Sequence, residues 1–392
     1  MRKFLKTLLN RLILLLDSAV KLRQHSKIHH CGIAIIRLDA IGDFTIWLDS
    51  AKEYRRIYPS QKIVLIVNAA CFELARHQPF WDEVWPVNLH RLTSNYRYRW
   101  TFLRRVNQAH FTIAIQPAFS RDLLQGDSVL RATGAPQRIG SQGDTSNTHP
   151  AEKAISDRWY TKLLYAKPGP LMELLRNAEF ISQLTGIPYV ANLPKLSNLP
   201  VLPTQLRPTS GYCILFPGAS WHGKQWGESS FVEIGMELNR LYGWQIVLCG
   251  APNENTLCQE IANSAQSSFL NLAGKTNLAE LAELIRVAQL LVTNDTSAVH
   301  IAAAVGTPAV CITGGGHHGR FIPYPDHLAG IKPVLACFPM PCFNCNWECN
   351  QPHDPAGPVP CIRNVSVALV WSKVELALSE TATVTRKQAI AE

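Results

Sequence analysis

Long apolar runs are missing from this 392-residue chain. None approaches the ~18 residues that a membrane-spanning helix needs, which excludes an integral helical membrane protein. Charge is sparse too, at 17% of residues against 47% hydrophobic, so neither a disordered chain nor a mini-protein stapled by disulfides fits, whereas two ordinary domains do. No G-x-G-x-x-G fingerprint follows an apolar strand, which argues against a nicotinamide or flavin site. A triphosphate-binding loop is lacking as well: Gly274-Lys275-Thr276 has the right ending, but the glycine required five residues earlier falls at Phe269. The count of 11 cysteines is odd, and six (Cys31, Cys71, Cys213, Cys249, Cys258, Cys311) are scattered through apolar stretches, as small buried hydrophobes would be in a reducing compartment.

The net charge of +9 is not a nucleic-acid signature. Arg2, Lys3, Lys6, Arg11, Lys21, Arg23 and Lys27, against the single acid Asp17, put most of it in residues 1–30, and the rest of the chain is nearly balanced. On a helical wheel Phe4, Leu5, Leu8, Leu9, Leu12, Ile13, Leu15, Leu16, Ala19 and Val20 share one side, with Leu14 the misfit. A basic amphipathic helix of this kind suits the headgroup plane, its cations on anionic lipid at ~1 kcal/mol each. The expectation is a cytoplasmic protein held peripherally on the inner-membrane surface through residues 1–30. Packing of that helix on the protein's own body is the competing reading. A secretory signal would need a longer apolar core and a small-residue cleavage site.

From Gly32 onward strands and helices alternate. Residues 33–36, 63–67 and 111–115 are short β-branched runs, as strands buried on both faces should be, with helices near 44–58, 69–77, 96–108 and 170–185. Pro194, Pro200, Pro203 and Pro208 then mark an interdomain linker, 191–210, because proline stops helices and cannot sit in a central strand. Strands return at 212–216, 245–249, 290–293 and 308–312, with helices near 228–242, 253–265, 278–288 and 296–305. The fold class is α/β: two doubly wound parallel-sheet domains, 31–190 and 211–336, facing a cleft, then a cysteine-rich module at 337–362 and a helix at 363–380. Ligands bind at the carboxyl ends of strands in such sheets, so the strand-to-helix loops are where chemistry is expected.

Three loops qualify. After the first strand, Gly42 permits a tight turn and Asp43 stands where a helix begins, as a capping or catalytic carboxylate. After the strand at 212–216, Pro217-Gly218-Ala219-Ser220 lets backbone approach closely, and Lys224 puts a cation ahead of a helix N-terminus. After the strand at 290–293, Asp295 is read as the cap, Thr296 and Ser297 offer N–H groups and hydroxyls at the positive end of a helix, and His300 lies one turn in, as a site residue or a satisfied core histidine.

Arg37-Leu38-Asp39-Ala40-Ile41-Gly42-Asp43, Pro217 to Ser220 with Lys224 and Trp226, Leu272 to Thr276, and Asn294 to Ser297 with His300, Ala303 and Thr307-Pro308 together resemble the loops of the family 9 glycosyltransferases, the group containing the ADP-heptose heptosyltransferases of lipopolysaccharide synthesis. The resemblance implies a GT-B fold and an inverting, metal-independent transfer from a nucleotide-diphosphate sugar, ADP-heptose, to a hydroxyl of a lipopolysaccharide-core sugar or a protein, with no catalytic cofactor. On that pattern Asp43 is the general base and Lys224 stabilises the leaving diphosphate. The donor side then comprises Gly218, Ser220, Trp226, Glu254, Asp295, Thr296, Ser297, His300 and Gly314, with Gly42 beside the base. Many family members have glycine where Ser297 stands and Gly-Pro where this chain runs Gly314-Gly315-Gly316-His317-His318. A GT-B nucleotide-sugar epimerase and a non-catalytic membrane-associated adaptor are the alternative readings.

Cys342, Cys345, Cys349 and Cys361 put four thiols within twenty residues, a spacing suited to a structural zinc or iron, with free thiols or two disulfides as the alternative readings and Cys337 as substitute for Cys349. The arrangement resembles the cysteine-bound iron module of the autotransporter-modifying heptosyltransferase branch, whose members form large oligomers, so a homo-oligomer is implied too.

Overall fold

The computed structural model describes residues 13, 14, 17, 32–265 and 269–391. Cys31 and most of the expected anchor helix lie outside the described residues. The chain divides into two compact units, Met1–Phe44 with Ser50–Gly169 and Leu175–Ala191, and Thr45–Asp49 with Pro170–Leu174 and Asn192–Glu392.

The first unit is built on a parallel sheet of β1 (Ile33–Arg37), β2 (Ile63–Asn68), β3 (Glu83–Val87), β4 (Ile113–Gln116), β5 (Gln137–Ser141) and β6 (Lys162–Leu164), in the order β3-β2-β1-β4-β5-β6. β1 is buried along its whole length and β2 in all but its last residue, which is why both read as unbroken apolar runs. The second unit repeats the design with β7 (Tyr212–Phe216), β8 (Gln245–Leu248), β9 (Leu270–Asn271), β10 (Leu290–Asn294), β11 (Ala309–Ile312) and β12 (Val334–Ala336), in the order β12-β11-β10-β7-β8-β9. Each sheet therefore reverses direction at its first strand, beside β1 and β4 in one unit and β7 and β10 in the other. Loops leaving a parallel sheet at such a reversal splay apart and leave a crevice.

Five strands escape detection by apolar pattern: β3, β5, β6, β9 and β12. Four, β3, β6, β9 and β12, are edge strands of two to five residues, β5 lies next to an edge, and β3 carries Glu83 and Pro86, which an edge tolerates. Helices obey local chemistry. Leu278–Val287 opens on a capping box of Asn277 and Glu280, and Glu228–Tyr242 closes on Gly243 at φ 67°. Between Gly186 and Thr204 the proline-bearing stretch forms neither helix nor strand. The last helix runs Val367–Ala391, longer than the expected 363–380, after a separate short helix Pro360–Arg363.

Leu14 and Asp17 are helical and buried on the first unit. Asp17 accepts from Arg99 at 2.6 to 3.1 Å, and both side chains are almost wholly enclosed. At these two positions the segment packs on the protein's body, through the misfit leucine and the lone acid. Among the described residues no helix is long and apolar enough to cross a membrane.

Candidate functional site

In the first unit the loop after β1 is tied down from three directions. Arg37, the last residue of β1 and 1% exposed, sets its Nε 2.6 Å from the Asp39 carboxylate, donates from Nη1 to Asn177 Oδ1 at 3.3 Å and from Nη2 to the Asp43 carbonyl at 3.4 Å. From the neighbouring strand, the Asn68 side chain donates to the Asp39 carbonyl at 3.1 Å. The helix Ile41–Ile57 then begins with Ala40 as its N-cap and no side-chain cap, which corrects the capping role offered for Asp43. Asp43 is the third helical residue, partly exposed, with Gly42 before it in the same turn; a carboxylate there is favoured by the helix dipole. Burial, then Asp39 and Asp43, push the Cys71 thiol up, so Asp43 sits within electrostatic reach of the loop after β2.

In the second unit Asn294, fully buried at the end of β10, fastens two loops together. Its amide donates to the Pro217 carbonyl at 2.7 Å and its oxygen accepts from the Trp226 N–H at 3.1 Å. That staple brings Lys224, in the short turn His222–Lys224, to 4.0 Å from the Asp295 carboxylate. Burial raises the pKa of Asp295, while Lys224 and His317 oppose the rise. The cap of the helix Ser297–Val305 is Thr296, whose hydroxyl accepts from the Ala298 N–H at 3.3 Å; Asp295 precedes the cap and does not serve as it. Asp295, Thr296 and Ser297 are all partly exposed, and Ser220 is exposed.

Other expected site residues support the loops from beneath. Trp226 is 3% exposed, with its indole N–H on the Val365 carbonyl at 2.8 Å, so the ring belongs to the core and not to the loop surface. His300 is 4% exposed, its Nδ1 3.1 Å from the Tyr324 hydroxyl, and burial drives its pKa down to about 3: it is a neutral core histidine. Glu254 accepts from the Ala251 N–H at 2.7 Å, and its carboxylate fills the space that a side chain at Gly218 would need. Burial raises its pKa.

The glycine run after β11 has a function that its sequence did not disclose. Cβ atoms at Gly315 and Gly316 would strike Phe343 and Trp347, and one at Gly314 would meet Cys361 Sγ at 2.8 Å. The run is the seat of the cysteine loop, which corrects the assignment of Gly314 to direct substrate contact. Asn344 and Asn346 N–H groups donate to the Gly315 and Gly316 carbonyls at 2.6 and 3.0 Å. Cys342, Cys345, Cys349 and Cys361 line one small apolar cavity with Met340, Phe343 and Trp347, and Cys337 does not. Burial chiefly, then the three neighbouring thiols, push the Cys361 thiol up. Among the described residues, however, no group of three or more His, Cys, Asp or Glu side chains is arranged to hold a metal ion. Sequence reasoning missed Trp347 and His317, which stand against Lys224 and Asp295; nothing in their spacing signals it.

A family model described as glycosyltransferase family 9 (heptosyltransferase) matches residues 99–347. Lipopolysaccharide heptosyltransferase 2 of Salmonella typhimurium is 35% identical over 134 residues, 33% of this chain and 37% of that protein. The chain thus spans about a third of the length of the curated relatives it matches. The solved ADP-heptose LPS heptosyltransferase II of E. coli superposes with a TM-score of 0.65 at 19% identity, covering 89% of this chain and 99% of that one. The dodecameric iron-containing heptosyltransferase TibC of E. coli gives 0.53 at 12% identity, covering 92% and 80%. At these identities the likeness is one of fold, GT-B.

Proposed function

The chain belongs to glycosyltransferase family 9, the heptosyltransferase family, and from that premise we propose that it transfers heptose from ADP-heptose to an acceptor hydroxyl with inversion. The observation that carries this reading is the Asn294 staple, which sets the Lys224 ammonium beside the N-terminus of the helix Ser297–Val305. As the anomeric bond breaks, negative charge gathers on the departing diphosphate. A lysine and a row of helix N–H groups stabilise that charge without a divalent ion. Asp295, an anion, contacts the ribose rather than phosphate, and Glu254 adds a second nucleotide contact.

Asp43 takes the proton of the attacking hydroxyl. Partly exposed on the first turn of its helix, and with its backbone held by Arg37, it has the access and the fixed placement that a general base needs. A lipopolysaccharide-core sugar is the acceptor that fits the basic segment at 1–30, through which the protein sits on the cytoplasmic face of the inner membrane. Deleting residues 2–27 tests that placement: loss of binding to anionic vesicles is expected, and undiminished binding refutes it.

The resemblance of the cysteine spacing to an iron module leads us to propose a structural iron or zinc at this loop; the four thiols line one cavity but, as placed, form no metal-holding group, and such an ion would brace the loop and take no part in transfer. Metal analysis of Cys345→Ser checks this; unchanged metal content removes Cys345 as a ligand. The central test is a transfer assay with ADP-heptose and lipopolysaccharide-core acceptors. Asp43→Asn should lower kcat by about a hundredfold or more and leave donor binding intact. Transfer at the wild-type rate would discard the base assignment, and absence of both transfer and donor hydrolysis in the unsubstituted protein would discard the enzyme reading.

A further inference from the structure

The cysteine loop carries one aromatic ring against the residues assigned to the diphosphate. Trp347 stands midway between Cys345 and Cys349 and lines the same cavity as all four thiols. Its φ is 63°, with Asn344 at 68° and Asn346 at 53°. Asparagine visits this left-handed region readily, but a tryptophan there is strained and persists only where its surroundings impose it.

Those surroundings are on view. Besides the two asparagine N–H bonds to the glycine run, Asn346 Oδ1 lies 2.7 Å from His317 Nε2, and the Val359 N–H donates to the Gly223 carbonyl at 3.0 Å. The loop is thereby pinned both to the turn that carries Lys224 and to the segment after β11. The strained residue ends with its ring 4.2 Å from the Lys224 ammonium, and with Trp221 and His317 edge-on at 6.3 Å each. Lys224 meanwhile stands 4.0 Å from Asp295, well beyond the length of a close ion pair. A lysine locked onto a carboxylate is a poor ligand for a second anion, whereas an ammonium resting on a π face keeps its N–H donors for an incoming one.

We propose that Trp347 is a positioning residue for the donor diphosphate: its ring holds the Lys224 ammonium off Asp295, and the cysteine loop holds the ring. This rests on the donor reading of the second unit given above. It makes the cysteine-rich module a determinant of nucleotide affinity as well as a structural insert.

Calorimetric titration of the full chain with ADP, GDP and UDP tests it, using whichever nucleotide the unsubstituted protein binds most tightly. Trp347→Leu keeps apolar bulk and removes the π face, and should weaken binding about five- to thirtyfold. Trp347→Phe keeps a ring and should stay within about threefold. In a Lys224→Met background Trp347→Leu should add little, because the two side chains act as one unit. Binding by Trp347→Leu equal to wild type, equal losses in the leucine and phenylalanine variants, or losses that add to Lys224→Met would each overturn the proposal.

Should Trp347→Leu not fold, tryptophan emission gives a second reading. Nucleotide should change the emission of the unsubstituted protein, and Trp347→Phe should diminish that change, with Trp221 beside it retaining a part. A change undiminished in Trp347→Phe overturns the proposal as well. If the unsubstituted protein binds none of the three nucleotides, the donor reading itself falls; if it binds and the variants are indifferent, only the role of Trp347 falls.

Discussion

Replacing Asn294 with alanine should unfasten the two loops on which the donor side depends. The side chain is fully buried, so its removal leaves the Trp226 N–H without the acceptor now at 3.1 Å and the Pro217 carbonyl without the donor at 2.7 Å. Each orphaned buried group costs ~1–3 kcal/mol, for a loss of about 2–6 kcal/mol in the second unit. Hydrogen exchange at the Trp226 amide reads this locally, with no assumption that the two units unfold together, and should accelerate about thirtyfold or more. Asn294→Asp sharpens the test. Its carboxylate still accepts from Trp226 but faces the Pro217 and Gly218 carbonyls, so burial among acceptors raises its folded pKa above the unfolded value. Such an acid binds its proton more tightly when folded. The penalty is therefore full above the folded pKa and fades as pH falls through it, because the protonated form can donate again. Exchange at Trp226 within threefold of wild type in Asn294→Ala, or a deficit in Asn294→Asp that deepens on acidification, would refute the reasoning.

His300 has its folded pKa depressed to about 3, so the unfolded chain takes a proton below pH ~6.5 that the folded one refuses; stability should fall by ~2 kcal/mol between pH 7 and 5 on this account, and His300→Gln should flatten that slope in urea titrations. Asp17→Asn leaves Arg99 buried beside a neutral partner and should cost about 3 kcal/mol in the first unit, seen as a lowered urea midpoint; an unchanged midpoint would mean the segment does not dock there. Gly218→Ala must displace the Glu254 carboxylate and with it the bond from the Ala251 N–H, lowering Tm by a few degrees; in a Glu254→Ala background, where the carboxylate and that bond are already gone, Gly218→Ala should cost little further.

Much of the architecture was legible from local pattern. β1, β2, β7 and β10 announce themselves because a strand buried on both faces is apolar at every position, and Asp43, Lys224 and Asp295 stand out because polar groups at the carboxyl ends of such strands have few structural reasons to be there. The edge strands were not legible, since a strand of two or three residues buried on one side has no pattern to show. Trp226 and His300 looked like site residues because they follow the right loops, yet they point into the core. The capping roles were off by a residue or three: Thr296 caps where Asp295 was expected, and Ala40 holds the position proposed for Asp43, because which side chain reaches back to an N–H depends on backbone angles that residue type does not reveal.

Sequence alone determined the two doubly wound sheets, the loops that carry the candidate chemistry and the crowding of thiols near the C-terminus, because apolar periodicity, prolines and loop composition act over a few neighbouring residues. The tertiary structure decided which of those residues meet. Only folding brings Trp347 onto Lys224 across 123 positions of chain, turns a glycine run into the seat of a distant loop, and turns Asp17 inward onto Arg99, because contacts between segments so far apart are set by the closing of whole sheets and leave no trace in local spacing.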